Sequence, residues 1–143
     1  MEYKLFLIPL AIMVASQTIK LLIEMARGQL SWPSLLSYGG MPSSHAALVT
    51  SLATVMAYYQ GLDSAAFAVA LILAVLVTRD ASGIRWHLGH QGRTINQLIK
   101  ELPDDREYQF PVLTEKFGHK NTEVLVGILI GLVLSLVIIY LWP

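Results

Sequence analysis

Residues 124–142 read VLVGILIGLVLSLVIIYLW, an apolar run without a single charge. It is long enough to cross a hydrocarbon core of about 30 Å at about 1.5 Å of helix per residue. The run closes on Tyr140 and Trp142, amphipathic rings of the kind that settle at a bilayer interface. The stretch reads as a transmembrane helix and points the whole chain toward an all-α membrane fold. Composition agrees: of 143 residues 55% are hydrophobic and 14% charged, against about 25% charged in a soluble domain. Mean hydropathy is +0.56. Ten Lys and Arg cancel ten Asp and Glu, so no basic excess offers itself to nucleic acid. The absence of Cys excludes a disulfide framework, a Cys-based zinc site, an iron–sulfur centre and a thiol nucleophile.

Working outward, residues 4–26 (beginning KLFLIPLAIMVASQTIKLLIEM) form a second span. Its apolar pattern continues past Lys20 without a small-residue cleavage site, which argues for a retained helix rather than a secretory signal. Two shorter stretches lie between, residues 46–59 (AALVTSLATVMAYY) and 65–78 (AAFAVALILAVLVT). Gly61 can end the first helix, and Asp63 or Ser64 can cap the next. At 14 residues each they fall short of the usual span, so they must borrow flanking turns; a re-entrant pair is the competing reading. Residues 80–118, with Pro103, Pro111 and Asp104-Asp105-Arg106-Glu107, read as a polar insertion with helix around 94–102. The expected architecture is an integral membrane bundle of four transmembrane helices in one domain, residues 1–143, with 80–118 inserted between the third and fourth.

Alternation of four spans puts Lys20, Arg27, His45, Arg79, Asp80, Arg85, His119 and Glu123 on one face. Every Lys and Arg except Lys4 falls on that side, which the positive-inside rule assigns to the cytoplasm, in the manner of a bacterial plasma membrane protein. Lys20 and Arg27 are two helical turns apart and project from one face, so they can close on an anion from different heights; snorkelling and an ordinary basic flank are the alternative. Gly39-Gly40-Met41-Pro42-Ser43-Ser44-His45 precedes an apolar helix, with Ser43 or Ser44 as cap and free N–H groups at the positive helix end, an arrangement that holds phosphate. His45 would add a proton donor there; the alternative is a capped membrane helix with a His in its first turn. His119 and Glu123, at i and i+4, would share a helix side, the carboxylate taking one ring nitrogen and leaving the other as nucleophile or base; a purely structural pair on a helix surface has the same spacing. Gly127, one turn on, can admit a close neighbouring helix. His87 and His90 lack a third ligand of matched spacing, and Asp80, Asp104 and Asp105 could recruit a hydrated magnesium ion only weakly as single carboxylates, so no metal and no cofactor is expected.

Together, Lys20-x6-Arg27, Pro42-Ser43-Ser44-His45 and His119-x3-Glu123-Val124-x2-Gly127 resemble the three signature blocks of the type 2 phosphatidic acid phosphatase superfamily. GGMPSSHAALVTSLAT followed by RDASGIR is similar to its divergent branch of small membrane proteins, a likeness running from about residue 16 to residue 131. The resemblance implies a metal-independent phosphohydrolase. His119 would take the phosphoryl group, Glu123 would orient it, and His45 would protonate the leaving oxygen. Lys20, Arg27, an arginine after the third span and the N–H groups around Ser43 and Ser44 would hold the equatorial oxygens. Gly28 stands where the superfamily has Pro, Ser44 replaces a Gly, and Glu123 replaces an Asp. Leu113 occupies the position of the third block's Arg, so the block is split and its guanidinium must come from Arg79 or Arg85. Arg85 is preferred, with Asp80 as its ion-pair partner.

These expectations converge on a lipid-phosphate phosphatase acting on a phosphate monoester or pyrophosphate. A cytoplasmic site suits phosphatidylglycerol phosphate or phosphatidic acid, and a homodimer is one way for four spans to enclose the site. The competing function is a non-catalytic membrane protein that binds anionic lipid or an assembly partner through the same cations. A small transporter fits less well, because the second to fourth spans carry no charge at mid-depth.

Overall fold

The computed structural model describes residues 3–28, 40–102, 110–113, 115 and 118–142, with only the backbone of Arg85. Five helices follow one another: α1 (Lys4–Ala26), α2 (Ser44–Gln60), α3 (Ala65–Ser82), α4 (Ile84–Lys100) and α5 (Asn121–Leu141). Among the described residues there is no strand. Helix α1, the stretch Ala65–Lys100 that holds α3 and α4, and α5 are long and apolar enough to cross a membrane. Helix α2, at 17 residues, is shorter. It runs through the middle of the bundle, packed against α1, α3 and α5, and buries Ala46, Ala47, Val49, Ser51, Ala53 and Val55.

Both short spans extend beyond their apolar runs. Ser43 starts α2 by accepting a hydrogen bond from the Ala46 N–H at 3.4 Å. The joint between α2 and α3 is the expected tight turn, with Gly61 at φ +90° and Ser64 accepting from the Phe67 N–H at 3.1 Å. Ser64, not Asp63, is therefore the cap.

Two facing rows of small residues bring α2 and α5 together. Gly127, Gly131 and Ser135 recur every fourth residue on α5, opposite the cap residue Ser43 and then Ala47 and Ser51 of α2. A Cβ added at Gly127 would strike the Ser43 carbonyl, and one at Gly131 would lie 2.5 Å from the Ala47 carbonyl oxygen. Ser135 Oγ sits 2.8 Å from Ser51 Oγ and 2.6 Å from the Gly131 carbonyl oxygen. In lipid, where tails are as apolar as leucine, such backbone approach and interhelical hydrogen bonding replace the hydrophobic drive of water. Ile8, Ile12, Ala47, Val55 and Ile139 form the main core. Helix α3 lies at the periphery and turns Val69, Ile72, Val75 and Leu76 outward, as a lipid-facing helix does.

The two ends of the bundle differ in character. At one, Lys4 Nζ donates to the Trp142 carbonyl at 3.1 Å and stands 4.8 Å from the Trp142 ring centroid, a cation at the negative end of α5. At the other lie the end of α1, the starts of α2 and α5 and the end of α3, where the signature residues collect. The insertion departs from expectation. Arg79 and Asp80 still belong to α3, and the helix expected around 94–102 is α4, Ile84–Lys100. Gly89 and Gly92 weaken the helical signal of that stretch in the sequence. Gly39, Pro103, Asp104, Asp105, Arg106 and Glu107 lie outside the described residues.

Candidate active site

The split third block is rejoined by backbone atoms. Gly83 takes φ −103° and ψ −95°, outside the helical region, and interrupts the chain between α3 and α4. Two residues earlier the Ala81 carbonyl accepts the His119 N–H at 2.9 Å. Ala81 is buried with Ala46 and Val124, an apolar floor beneath the start of α5. The sequence segments on either side of residues 82–118 thus meet through a main-chain hydrogen bond.

His119 does not lie on a helix. Lys120 is extended (φ −68°, ψ 151°) and α5 begins at Asn121, so the expected helical i, i+4 pair is corrected to a capping arrangement. Glu123, in the first turn, reaches back so that its Oε2 accepts the Lys120 N–H at 3.1 Å and lies 3.2 Å from His119 Nδ1. The Gly40 carbonyl oxygen lies 3.1 Å from the same nitrogen. Both neighbours are acceptors, so Nδ1 carries the hydrogen and Nε2 keeps its lone pair. One carboxylate caps the helix and orients the imidazole. Burial holds the His119 pKa below the ordinary histidine value, aided by the Lys20 charge; the hydrogen bond and charge of Glu123 and the bond to Gly40 oppose this without reversing it.

The Pro42–His45 block is fastened to the same place, since the Ser43 N–H donates to the Glu123 carbonyl at 3.1 Å. Ser43 is fully buried and Ser44 partly buried, while His45 is exposed in the first turn of α2. Lys20 turns inward, 3% exposed, which disposes of the snorkelling alternative. Gly40, at φ +100°, makes room for it: a Cβ there would lie 3.0 Å from Lys20 Cε and 3.1 Å from Glu24 Oε1. Arg27 is exposed just beyond the last turn of α1, so the two cations of the first block are not inside together. Arg79 is exposed and Asp80 half-buried on the last turn of α3. The side chain of Arg85 lies outside the described residues, so only its place at the start of α4 is described.

Glu24 is the residue that sequence reasoning missed. It follows Lys20 by one helical turn, and its buried Oε2 has no hydrogen-bond partner among the described residues. Glu24 and Glu123 both act electrostatically on Lys20. The signal was a carboxylate four residues after the lysine, on the same helix face.

Residues 1–134 match the family described as Divergent PAP2. The chain belongs to the Divergent PAP2 family. A relative in Bacillus subtilis (strain 168), named as the uncharacterized membrane protein YuiD, is 41% identical over 143 residues, covering 92% of this chain and 90% of that protein. No solved structure matches. Membership in the Divergent PAP2 family makes this a phosphatase-related membrane protein. Among the described residues no group of three His, Cys, Asp or Glu side chains is arranged to hold a metal ion in this Divergent PAP2 member.

Proposed function

We propose that the protein is a membrane lipid-phosphate phosphatase that works through a phosphohistidine on His119. The observation that carries this reading is the placement of His119 Nδ1 between two acceptors, the Gly40 carbonyl and the Glu123 carboxylate, which favours the tautomer with Nε2 free as a nucleophile. Attack by Nε2 on a phosphorus atom forms the N–P bond as the ester P–O bond breaks. His45 gives a proton to the departing oxygen, and water then cleaves the N–P bond to release phosphate. The imidazolium character that develops on His119 is stabilised by the Glu123 carboxylate.

Charge bears on where the phosphate would sit. Among the described residues, the inner cluster holds one cation, Lys20, against two carboxylates, Glu24 and Glu123. An anion therefore needs the cations at the rim, Arg27 and either Arg79 or Arg85, and the N–H groups at the start of α2 near Ser43 and Ser44. That favours a headgroup at the mouth of the site, with Asp80 beside the arginines and the lipid chains in the bilayer. The excess of Lys and Arg at this end supports a cytoplasmic site, and with it phosphatidylglycerol phosphate or phosphatidic acid as substrate. The carboxylate surplus also favours a second reading, a non-catalytic protein that binds anionic lipid.

Purified protein in mixed micelles, supplied with a panel of lipid phosphates and a chelator, separates the two. Release of phosphate that disappears in His119→Ala and His45→Ala, with an acid-labile phosphoryl label on the wild type alone, is expected. Lipid binding without turnover, unchanged by both substitutions, refutes the phosphatase. Labelling of Asp104→Cys by an impermeant thiol reagent from outside intact cells would reverse the sidedness.

A further inference from the structure

Among the described residues, helix α4 has an apolar face that the rest of the bundle leaves exposed. Ile84, Leu88, Ile95, Leu98 and Ile99 recur at helical spacing and fall on one side. The first four are 43–67% exposed. The helix contains no Asp or Glu, and its other side presents His90, Arg93, Gln97 and Lys100.

Of the described residues that follow α4, Leu113 and Glu115 bond to its polar flank. The Asn96 carboxamide donates to the Leu113 carbonyl at 2.8 Å and to Glu115 Oε1 at 2.9 Å, and accepts the Leu113 N–H at 2.9 Å. Glu115 also lies 3.5 Å from Arg93 in an exposed ion pair, which competes only weakly with other anions. Continuity and charge say what covers the open side. Helix α3 is part of a stretch apolar enough to cross a membrane, and α4 begins directly after the break at Gly83, where α3 ends beside the polar site. A helix starting at that depth meets the boundary between headgroups and acyl chains. Apolar residues on one face with cations on the other are the pattern of a helix lying in that boundary. Trp86, in the first turn, stacks on His90 with centroids 5.7 Å apart, an aromatic pair suited to the same depth.

We propose that α4 lies in the plane of the membrane on the site's side, with Ile84, Leu88, Ile95 and Leu98 sunk into the leaflet and Arg93 and Lys100 among anionic phospholipid headgroups. The helix then anchors the end of α3, and with it the Ala81 carbonyl that receives the His119 N–H. This inference stands apart from the phosphatase reading and does not need turnover.

The chain has no Cys, so single spin labels can be placed on the full-length protein at Leu88→Cys, Ile95→Cys and Leu98→Cys, and on the other side at His90→Cys and Gln97→Cys. The reconstitution uses vesicles of phosphatidylcholine with phosphatidylglycerol, and the readout is collision with oxygen against a water-soluble nickel chelate. The expected oxygen-to-nickel ratio is several-fold higher at the first three sites. It falls in phosphatidylcholine alone, and that dependence on headgroup charge vanishes in an Arg93→Gln, Lys100→Gln background. Equal ratios on both faces, indifference to headgroup charge, or dipolar broadening that shows a second copy on the apolar face would each overturn the proposal.

Discussion

Replacing Gly127 by Ala tests the link between helix packing and the site. The new methyl would point into the Ser43 carbonyl and stand 3.0 Å from the Ala46 methyl. A backbone carbonyl is not a side chain that swings aside, so α2 and α5 must part. The required movement can be gauged one turn on. A methyl at Gly131 would lie 2.5 Å from the Ala47 carbonyl oxygen, and relief to an ordinary separation needs about 0.9 Å, enough to forfeit a quarter to a half of the dispersion energy of adjacent contacts. Overpacking of this kind costs about 1–3 kcal/mol. At Gly127 the same displacement also pulls on the bond from the Ser43 N–H to the Glu123 carbonyl, which is 3.1 Å long; stretching it adds about 1 kcal/mol. Gly127→Ala and Gly131→Ala should therefore lose similar stability from packing, while Gly127→Ala alone disturbs the alignment of the Ser43–His45 block with His119. Equilibrium unfolding by sodium dodecyl sulfate in mixed micelles, followed by tryptophan fluorescence, reads the first effect, and phosphate release at matched folded fraction reads the second. Wild-type stability in both variants would refute the close approach of α2 and α5. Equal activity in the two would refute the dependence of the site on the Ser43 to Glu123 bond.

Three further expectations follow from individual contacts. Folded His119 resists protonation because burial lowers its pKa from the ordinary 6.5. Stability present above that pH should decline as pH falls and the unfolded chain takes up a proton that the folded one refuses; unfolding titrations of wild type and His119→Gln should diverge only on the acid side, and parallel curves would count against a buried neutral imidazole. Ser51→Ala and Ser135→Ala should show a coupling of about 0.6 kcal/mol, up to about 1.7, in a double-mutant cycle, as interhelical hydrogen bonds in membranes do, and zero coupling would mean that the hydroxyl pair contributes nothing. Glu24→Gln removes one of the two carboxylates acting on Lys20, so it should lower KM for a phosphate ester several-fold with a smaller change in kcat, whereas a raised KM would contradict the charge argument.

Much of the fold could be read from local signals. Apolar runs marked α1 and α5, the Gln60–Ser64 turn carried its own glycine and cap, and Ser43 preceded an apolar helix as caps do. The pairing of His119 with Glu123 was also legible, although its cause was not. A spacing of four suggested a shared helix face, whereas the bond arises because an N-terminal carboxylate bends back over the helix start. Glu24 was hidden because a single carboxylate near a span end looks like an interfacial flank until a neighbouring loop, here at Gly40, closes over it. The full length of helix α4 was hidden because two glycines and a polar face mask its apolar periodicity. Sequence order also could not reveal that Lys20 turns inward and Arg27 outward, since both share one helical face and only the end of α1 at Ala26 separates their surroundings.

The contact between the Ala81 carbonyl and the His119 N–H joins two stretches of main chain. No exchange of side chains at position 81 can delete it, and at position 119 only an imino acid would remove the donor. Mutational scanning will therefore register this strut indirectly, through residues that steer the peptide planes around Gly83 and Lys120. An amide-to-ester replacement at position 119 would cut it directly while leaving every side chain in place.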